Sequence, residues 1–372
     1  MDAEPLGDIP DHVVHQSGEH TLATEIAGHA PTIDREPPET DRSHLAGHGV
    51  FGCPVRRPGS DSVRVSDEAV PDLGPVPTRF PVSEDLTRRL VAAQFPQWAD
   101  LPVRRVAEEG WDNQTFHLGA EMSVRLPSAS PYALAVEKEH RWLPVLAPHL
   151  SLSIPVPLAK GAPGEGYPYA WSVYRWLDGE PASRATIADL TELGTALAGF
   201  LAALQRVDAG SGPGPGLHNW YRGGTLATYD ELTREALAKL DGHRRTDLAR
   251  EIWRTALRSR WDGRPVWFHG DVAADNLLIR DGELAAVIDF GTCGVGDPAC
   301  DLAIAWTLLT GESRTAFRTG LSVDTESWSR GRGWALWKAL TACAGALEQG
   351  GPELAAATWV LDQIYEEYEQ SN

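Results

Sequence analysis

The sequence predicts an α+β protein of two lobes, a small antiparallel sheet followed by a mainly helical region. Three observations carry that expectation. Between residues 103 and 177, short runs bearing Val, Thr, Phe and Tyr are separated by turns rich in Gly, Asp and Pro, which is the pattern of half-buried strands. From Ile187 onward, leucines recur at helical spacing. Between Asn276 and Ile288, two short apolar runs flank Arg280-Asp281-Gly282-Glu283, whose central Asp-Gly closes a hairpin.

The elements follow in order. Ser83 is placed to cap a helix running to about Phe95, with Glu84 and Asp85 in the first turn, Leu86, Leu90 and Ala93 on one face, and Pro96 as terminator. Val103 to Ala107, Gln114 to Leu118 and Met122 to Leu126 read as three strands of an antiparallel sheet. A helix spans about Leu134 to Leu146, and strands follow at Pro155 to Lys160 and Trp171 to Leu177. From Ile187 to Gln205 a long helix presents Leu190, Leu193, Leu197, Leu201 and Leu204 as a core stripe. A Gly/Pro-rich breaker at 209–216 precedes a helical segment of about 228–256, Asp301 opens a short apolar helix to Leu309, and two helices, about 333–348 and 352–369, close the chain.

Residues 1–80 differ from the rest. They hold ten prolines, six histidines at irregular spacing, no tryptophan and no sustained apolar period, so a low-complexity, disordered extension is expected there. The two lobes are then expected at 81–177 and 178–372. The net charge of −19 argues against nucleic acid and anionic membrane as partners and is compatible with a cationic small molecule. Cys53, Cys293, Cys300 and Cys343 form no Cys-x-x-Cys pair, which argues against a zinc site or a disulfide framework and for a reducing cytoplasm. No basic start followed by an apolar run marks a signal peptide, and no apolar run is long enough to span a bilayer.

The chemistry concentrates in Trp267-Phe268-His269-Gly270-Asp271, with Asn276 five residues after Asp271 and Asp289-Phe290-Gly291 beyond the hairpin. Phosphoryl transfer to a hydroxyl needs a carboxylate that accepts the hydroxyl proton, and oxygen ligands for Mg²⁺ that bridge phosphates. Asp271 suits the first task; the Asn276 amide oxygen and the Asp289 carboxylate suit the second, and the hairpin would fold all three together.

His-Gly-Asp, four residues, Asn, then Ile-Asp-Phe-Gly and Gly296-Asp297-Pro298-Ala299-Cys300-Asp301 resemble the aminoglycoside phosphotransferase family of protein-kinase-like enzymes. The resemblance begins near Thr78 and covers nearly the whole core. It implies a protein-kinase-like two-lobed fold, with ATP or GTP and Mg²⁺ as cofactors and a small-molecule hydroxyl as acceptor, aminoglycoside-type first. Another small alcohol such as a macrolide, a sugar or a choline-like metabolite, or a non-catalytic nucleotide-binding protein, are the alternatives. By the same resemblance, Asp271 is the base, Asn276 and Asp289 hold metal, and His269 and Asp301 support the loop. Gly110, Asp112 and Asn113 form the phosphate-covering turn, Arg125 stands where kinases carry a lysine, and Glu139, chosen over Glu137, is its partner. Arg175 and Leu177 lie on the hinge that meets the base of the nucleotide. The Arg125 substitution keeps the charge but exchanges a point ammonium for a planar fork. No Ala-Pro-Glu segment and no long activation loop follow Gly291, which argues against a regulated protein kinase. Asn219, Trp220 and Arg222, in an insertion after the breaker, are candidates to face substrate; the C-terminal carboxylates Glu348, Glu366, Glu367 and Glu369 read as solvated helix ends.

Overall fold

The computed structural model describes residues 77–371, apart from 108, 109 and 244, together with 71 and 73. The extension expected over residues 1–80 therefore falls almost entirely outside the described residues. Helix α1 (Glu84–Gln94) begins where the Ser83 hydroxyl accepts the Leu86 N–H at 3.1 Å. Strands β1 (Val103–Arg105), β2 (Asn113–Leu118) and β3 (Met122–Pro127) follow, then helix α2 (Ser130–Leu146). α2 starts four residues earlier than the apolar pattern indicates, because Pro131 in its first turn supplies a helical φ where no N–H is needed. With β4 (Pro157–Gly161) and β5 (Trp171–Arg175) the strands form one antiparallel sheet in the order β1-β2-β3-β5-β4. Its inner face packs Phe116, Leu118, Val124, Leu126 and Trp171 against Leu90 and Val91 of α1.

Beyond the hinge, β6 (Glu180–Pro181) joins the hairpin of β8 (Leu277–Arg280) and β9 (Glu283–Val287) in a three-stranded sheet. Asp281 and Gly282 both have positive φ (56° and 83°), the geometry that an Asp-Gly hairpin turn requires. Helix α3 (Leu190–Arg206) starts at Asp189, whose carboxylate accepts two N–H groups of the first turn. The segment expected as one helix is two, α4 (Asp230–Lys239) and α5 (Thr246–Arg258), parted at Gly242 with φ 77°. Strands β7 (Val266–Phe268) and β10 (Gly294–Gly296) pair antiparallel. Helices α6 (Ile304–Thr307), α7 (Gly311–Gly320), α8 (Thr325–Ala346) and α9 (Gly351–Ser371) complete the chain.

The larger core lies among these helices. Leu143 and Leu146 of α2 and Tyr174 of β5 belong to it, so two elements of the first lobe are rooted in the second. Among the described residues, no helix is long and apolar enough to cross a membrane.

Candidate active site

Two nested antiparallel pairs gather the polar residues. Because Phe268 of β7 faces Gly294 of β10, the segment leaving β7 (269–271) and the segment entering β10 (289–293) emerge at the same end. Inside that frame β8 and β9 pair from Leu277 opposite Val287, and the Ile288 N–H reaches the Asn276 carbonyl at 2.9 Å. Asn276, just before β8, and Asp289, just after β9, are thereby drawn to Asp271.

The loop is held from below. The Asp301 carboxylate, 1 % exposed, accepts the His269 N–H at 2.8 Å and the Gly270 N–H at 2.7 Å. The Asp271 N–H donates to His269 Nδ1 at 3.2 Å, so Nε2 carries the proton and donates to the Ile288 carbonyl at 2.9 Å. Gly270 has φ 92°, and a Cβ there would lie 2.6 Å from the Thr292 carbonyl oxygen; this close passage requires glycine.

At the centre, Asn276 Nδ2 donates to the Asp271 carbonyl at 3.0 Å and lies 3.4 Å from Asp271 Oδ2. Asp289 takes a left-handed backbone (φ 63°) and accepts the guanidinium of Arg125 at 2.9 Å. Here the structure differs from the expected pair. Arg125 forms its ion pair with Asp289, and Glu139 instead accepts the Tyr174 hydroxyl. Burial pushes the Glu139 carboxyl up even with Arg125 nearby.

The neighbouring residue of α2, Lys138, has a different task. Buried, it donates to the Gly291 carbonyl at 2.6 Å, the Cys293 carbonyl at 3.0 Å and the His218 carbonyl at 3.2 Å, which clasps the acidic turn to α2 and to the insertion. Burial lowers its pKa, since an ammonium out of water favours its neutral form.

The β1–β2 turn is pinned to the start of α2 by the Ser128 hydroxyl on the Trp111 carbonyl (2.7 Å) and by Trp111 Nε1 on the Tyr132 hydroxyl (2.9 Å). Gly110 sits in that turn, its carbonyl accepting Arg79 at 3.2 Å, and Asn113 opens β2 opposite Pro127. The Asp112 carboxyl faces Asp271 and Asp289: burial and then those two charges push it well above the usual carboxylate range. Arg175 and Leu177 stand apart from this group. They line a cavity of about 490 Å³ with Leu150, Ile154 and Leu158.

Two further cations act on Asp271. Lys338 of α8 reaches Asp271 Oδ1 with its ammonium at 2.5 Å. It is the one charged residue between Gly333 and Gly345, a signal the sequence did contain. Arg222 is buried with its guanidinium over Trp337 (5.0 Å), Trp334 (5.2 Å) and Tyr229 (5.4 Å), not turned toward an open site. Burial alone would raise the Asp271 carboxyl; Lys338 and Arg222 outweigh it and hold it below the usual range. Asn219 is likewise buried, its Oδ1 accepting the Gly216 N–H at 2.9 Å. Glu367 and Glu369 pair with Arg332 and Arg245.

Comparison with known proteins adds to this geometry. The sequence model described as "Phosphotransferase enzyme family" matches residues 103–340. An aminoglycoside 3'-phosphotransferase of Escherichia coli is 47 % identical over 45 residues, which is 12 % of this chain and only 17 % of that relative's length. The GDP complex of wild-type aminoglycoside 2'-phosphotransferase-IIIa superposes with a TM-score of 0.56 at 16 % identity, over 77 % of this chain and 100 % of that one. A macrolide 2'-phosphotransferase type I superposes with a TM-score of 0.50 at 19 % identity, over 74 % and 96 % of the two chains. At such identities the likeness establishes the fold, the protein-kinase-like two-lobed one.

Proposed function

This chain belongs to the phosphotransferase enzyme family, and we propose that it transfers the γ-phosphoryl group of ATP or GTP to a hydroxyl of a small molecule. The observation that carries the reading is the convergence of Asp271, Asn276 and Asp289 at one end of the β7/β10 and β8/β9 pairs, with Arg125 reaching in from the sheet.

Asp271 orients the acceptor hydroxyl and takes its proton as the oxygen attacks phosphorus. The new P–O bond forms while the bond from phosphorus to the β–γ bridging oxygen breaks, and nucleoside diphosphate leaves. Held below the usual carboxylate range, Asp271 is a weak base, so it contributes alignment and a late proton acceptor more than proton affinity. Arg125 exchanges its bond to Asp289 for the phosphates, and the Gly110 to Asn113 turn covers them.

The donor set fits Mg²⁺. It offers hard oxygens only, an amide from Asn276 and a carboxylate from Asp289, and the crowding of Asp112, Asp271 and Asp289 is a field that a divalent cation relieves. Two protein oxygens suffice for an ion that completes its shell with phosphate and water. When bound, it would neutralise phosphate charge.

The acceptor we favour is aminoglycoside-type, supported by the family and by a net charge of −19 that draws cations. One observation favours a non-catalytic reading: the Arg125–Asp289 pair occupies the acid that metal requires. The buried free Cys293, Cys300 and Cys343 suit a reducing compartment, and we place the reaction in the cytoplasm. The test is diphosphate formation from Mg–ATP and Mg–GTP against a panel of aminoglycosides, macrolides and amino alcohols. Acceptor-dependent turnover is expected; nucleotide binding without turnover on any acceptor would leave the non-catalytic reading standing in its place.

A further inference from the structure

We propose that Lys338 is a positioning residue for phosphoryl transfer: its ammonium group holds Oδ1 of Asp271 so that Oδ2 is presented to the acceptor hydroxyl. The proposal rests on the reading of Asp271 as the base, and it deepens that reading by naming what aims the carboxylate.

Asp271 is buried, and its polar contacts are few and unequal. Lys338 Nζ lies 2.5 Å from Oδ1, whereas the nearest donor to Oδ2 is Asn276 Nδ2 at 3.4 Å, an amide already committed to the Asp271 carbonyl at 3.0 Å. The short, charge-assisted contact therefore sets the carboxylate's rotation, and the long one leaves the second oxygen weakly engaged.

The chemistry of the side chain suits the task. An ammonium is a point charge that grips a single oxygen, while a guanidinium in the same place would bond both oxygens in parallel and consume the one the reaction needs. The other cation near Asp271, Arg222, is stacked among Tyr229, Trp334 and Trp337 and donates to the Tyr229 hydroxyl at 2.9 Å. It acts on Asp271 through its field alone. Asp289, facing Asp271 from the other segment, repels its carboxylate, and Lys338 offsets that repulsion.

The mount is rigid. Lys338 projects from a 22-residue helix between Trp337, fully buried, and Ala339, 4 % exposed. One turn on, the Thr341 hydroxyl donates to the Trp337 carbonyl at 2.8 Å. α8 is tied to α9 by the Arg332–Glu367 pair at 2.8 Å. The C-terminal helices thus reach the reacting end of the site directly through Lys338, 67 positions from Asp271 in sequence.

The experiment measures transfer from Mg–ATP and Mg–GTP to kanamycin, to erythromycin and to water for Lys338→Met, Lys338→Ala and Asp271→Ala. A misaimed base costs roughly 10²-fold in kcat, so Lys338→Met is expected to lose about that much, with the KM for Mg–nucleotide within about threefold of the wild type. Adding n-propylamine, the piece that Lys338→Ala removes, is expected to restore kcat at least about fivefold, while n-propanol restores nothing. An unchanged kcat in Lys338→Met overturns the proposal. So does a loss of kcat in both variants that neither amine nor alcohol relieves, because a merely structural lysine gives that result. Should Lys338→Ala fail to fold, the apolar Lys338→Met still decides through its kcat and KM. Asp271→Ala separates the two claims: full turnover there refutes the base itself, whereas lost turnover there with normal Lys338→Met refutes Lys338 alone.

Discussion

In the reaction proposed for this chain, Asp271 is a weak base. The same Lys338 and Arg222 that keep it ionised lower its affinity for a proton, so its value to the reaction lies in where its oxygens point. Asp271→Ala is therefore expected to lower kcat about 10²- to 10⁴-fold while nucleotide affinity stays within a few fold; equal losses in both would remove it from the reacting end. Gly270 makes a sharper case, because its φ of 92° and the 2.6 Å approach of a Cβ to the Thr292 carbonyl act together. Gly270→Ala is expected to lose at least roughly 2 kcal/mol of stability by denaturant titration, with kcat falling as the His269 to Asp271 loop shifts; a loss under roughly 0.5 kcal/mol would show that the loop has room to yield. The motif residues were legible because their chemistry is packed into 21 consecutive positions, His269 to Asp289. The partners of Lys138, Arg222 and Lys338 were not, because a cation announces its partner only once distant segments meet. Of the expected Arg125–Glu139 pair the charge interaction is present, but the direct contacts go elsewhere: Tyr174 offers Glu139 a neutral donor and Asp289 takes the ion pair with Arg125.

Turn chemistry and apolar period made most elements readable, and their lapses have causes. β7 and β10 are three residues each, too short to show alternation. α7 carries a single buried hydrophobe, Phe317, and so no stripe. α8 begins at Thr325, eight residues before the apolar pattern, since the polar run around Ser329 to Arg332 looks like a loop yet is buried. Its arginines are neutralised within the fold: Arg330 by Asp297 at 2.6 Å and Arg332 by Glu367 at 2.8 Å. Glu367 also accepts the indole N–H groups of Trp306 (3.3 Å) and Trp328 (3.0 Å), and so ties α6, α8 and α9 together. Burial would raise the Glu367 carboxyl, but Arg332 and then the Trp328 indole hold it below its ordinary 4.5. A depressed carboxyl stabilises the fold above its unfolded value and loses that contribution as pH falls through the folded one. Glu367→Gln is thus expected to cost roughly 3 kcal/mol at pH 7, with the Tm gap to the wild type closing as the buffer falls below about pH 4.5. A gap that is constant from pH 7 to pH 3 would mean that the tie is not ionic.

Across the whole molecule, the acidic turn at Asp289 is where the lobes meet chemically. Arg125 comes to it from the sheet and Lys138 from α2, while the turn itself is framed by β9 and β10 of the second lobe. The meeting of these motifs was expected from their order along the chain, whereas Arg175 and Leu177, assigned to the hinge by order alone, lie beside a different cavity. A ligand that engages the turn must displace Arg125 from Asp289 and so report on both lobes at once. The decisive measurement is calorimetric titration of ATP and GTP, with and without Mg²⁺, into the wild type and Asp289→Ala. The wild type is expected to bind at least tenfold more tightly with Mg²⁺, and the variant is expected to lose that Mg²⁺ dependence while keeping metal-free binding. An Asp289→Ala protein whose Mg²⁺ dependence matches the wild type would contradict the gathering of Asp271, Asn276 and Asp289 around a metal-bound triphosphate.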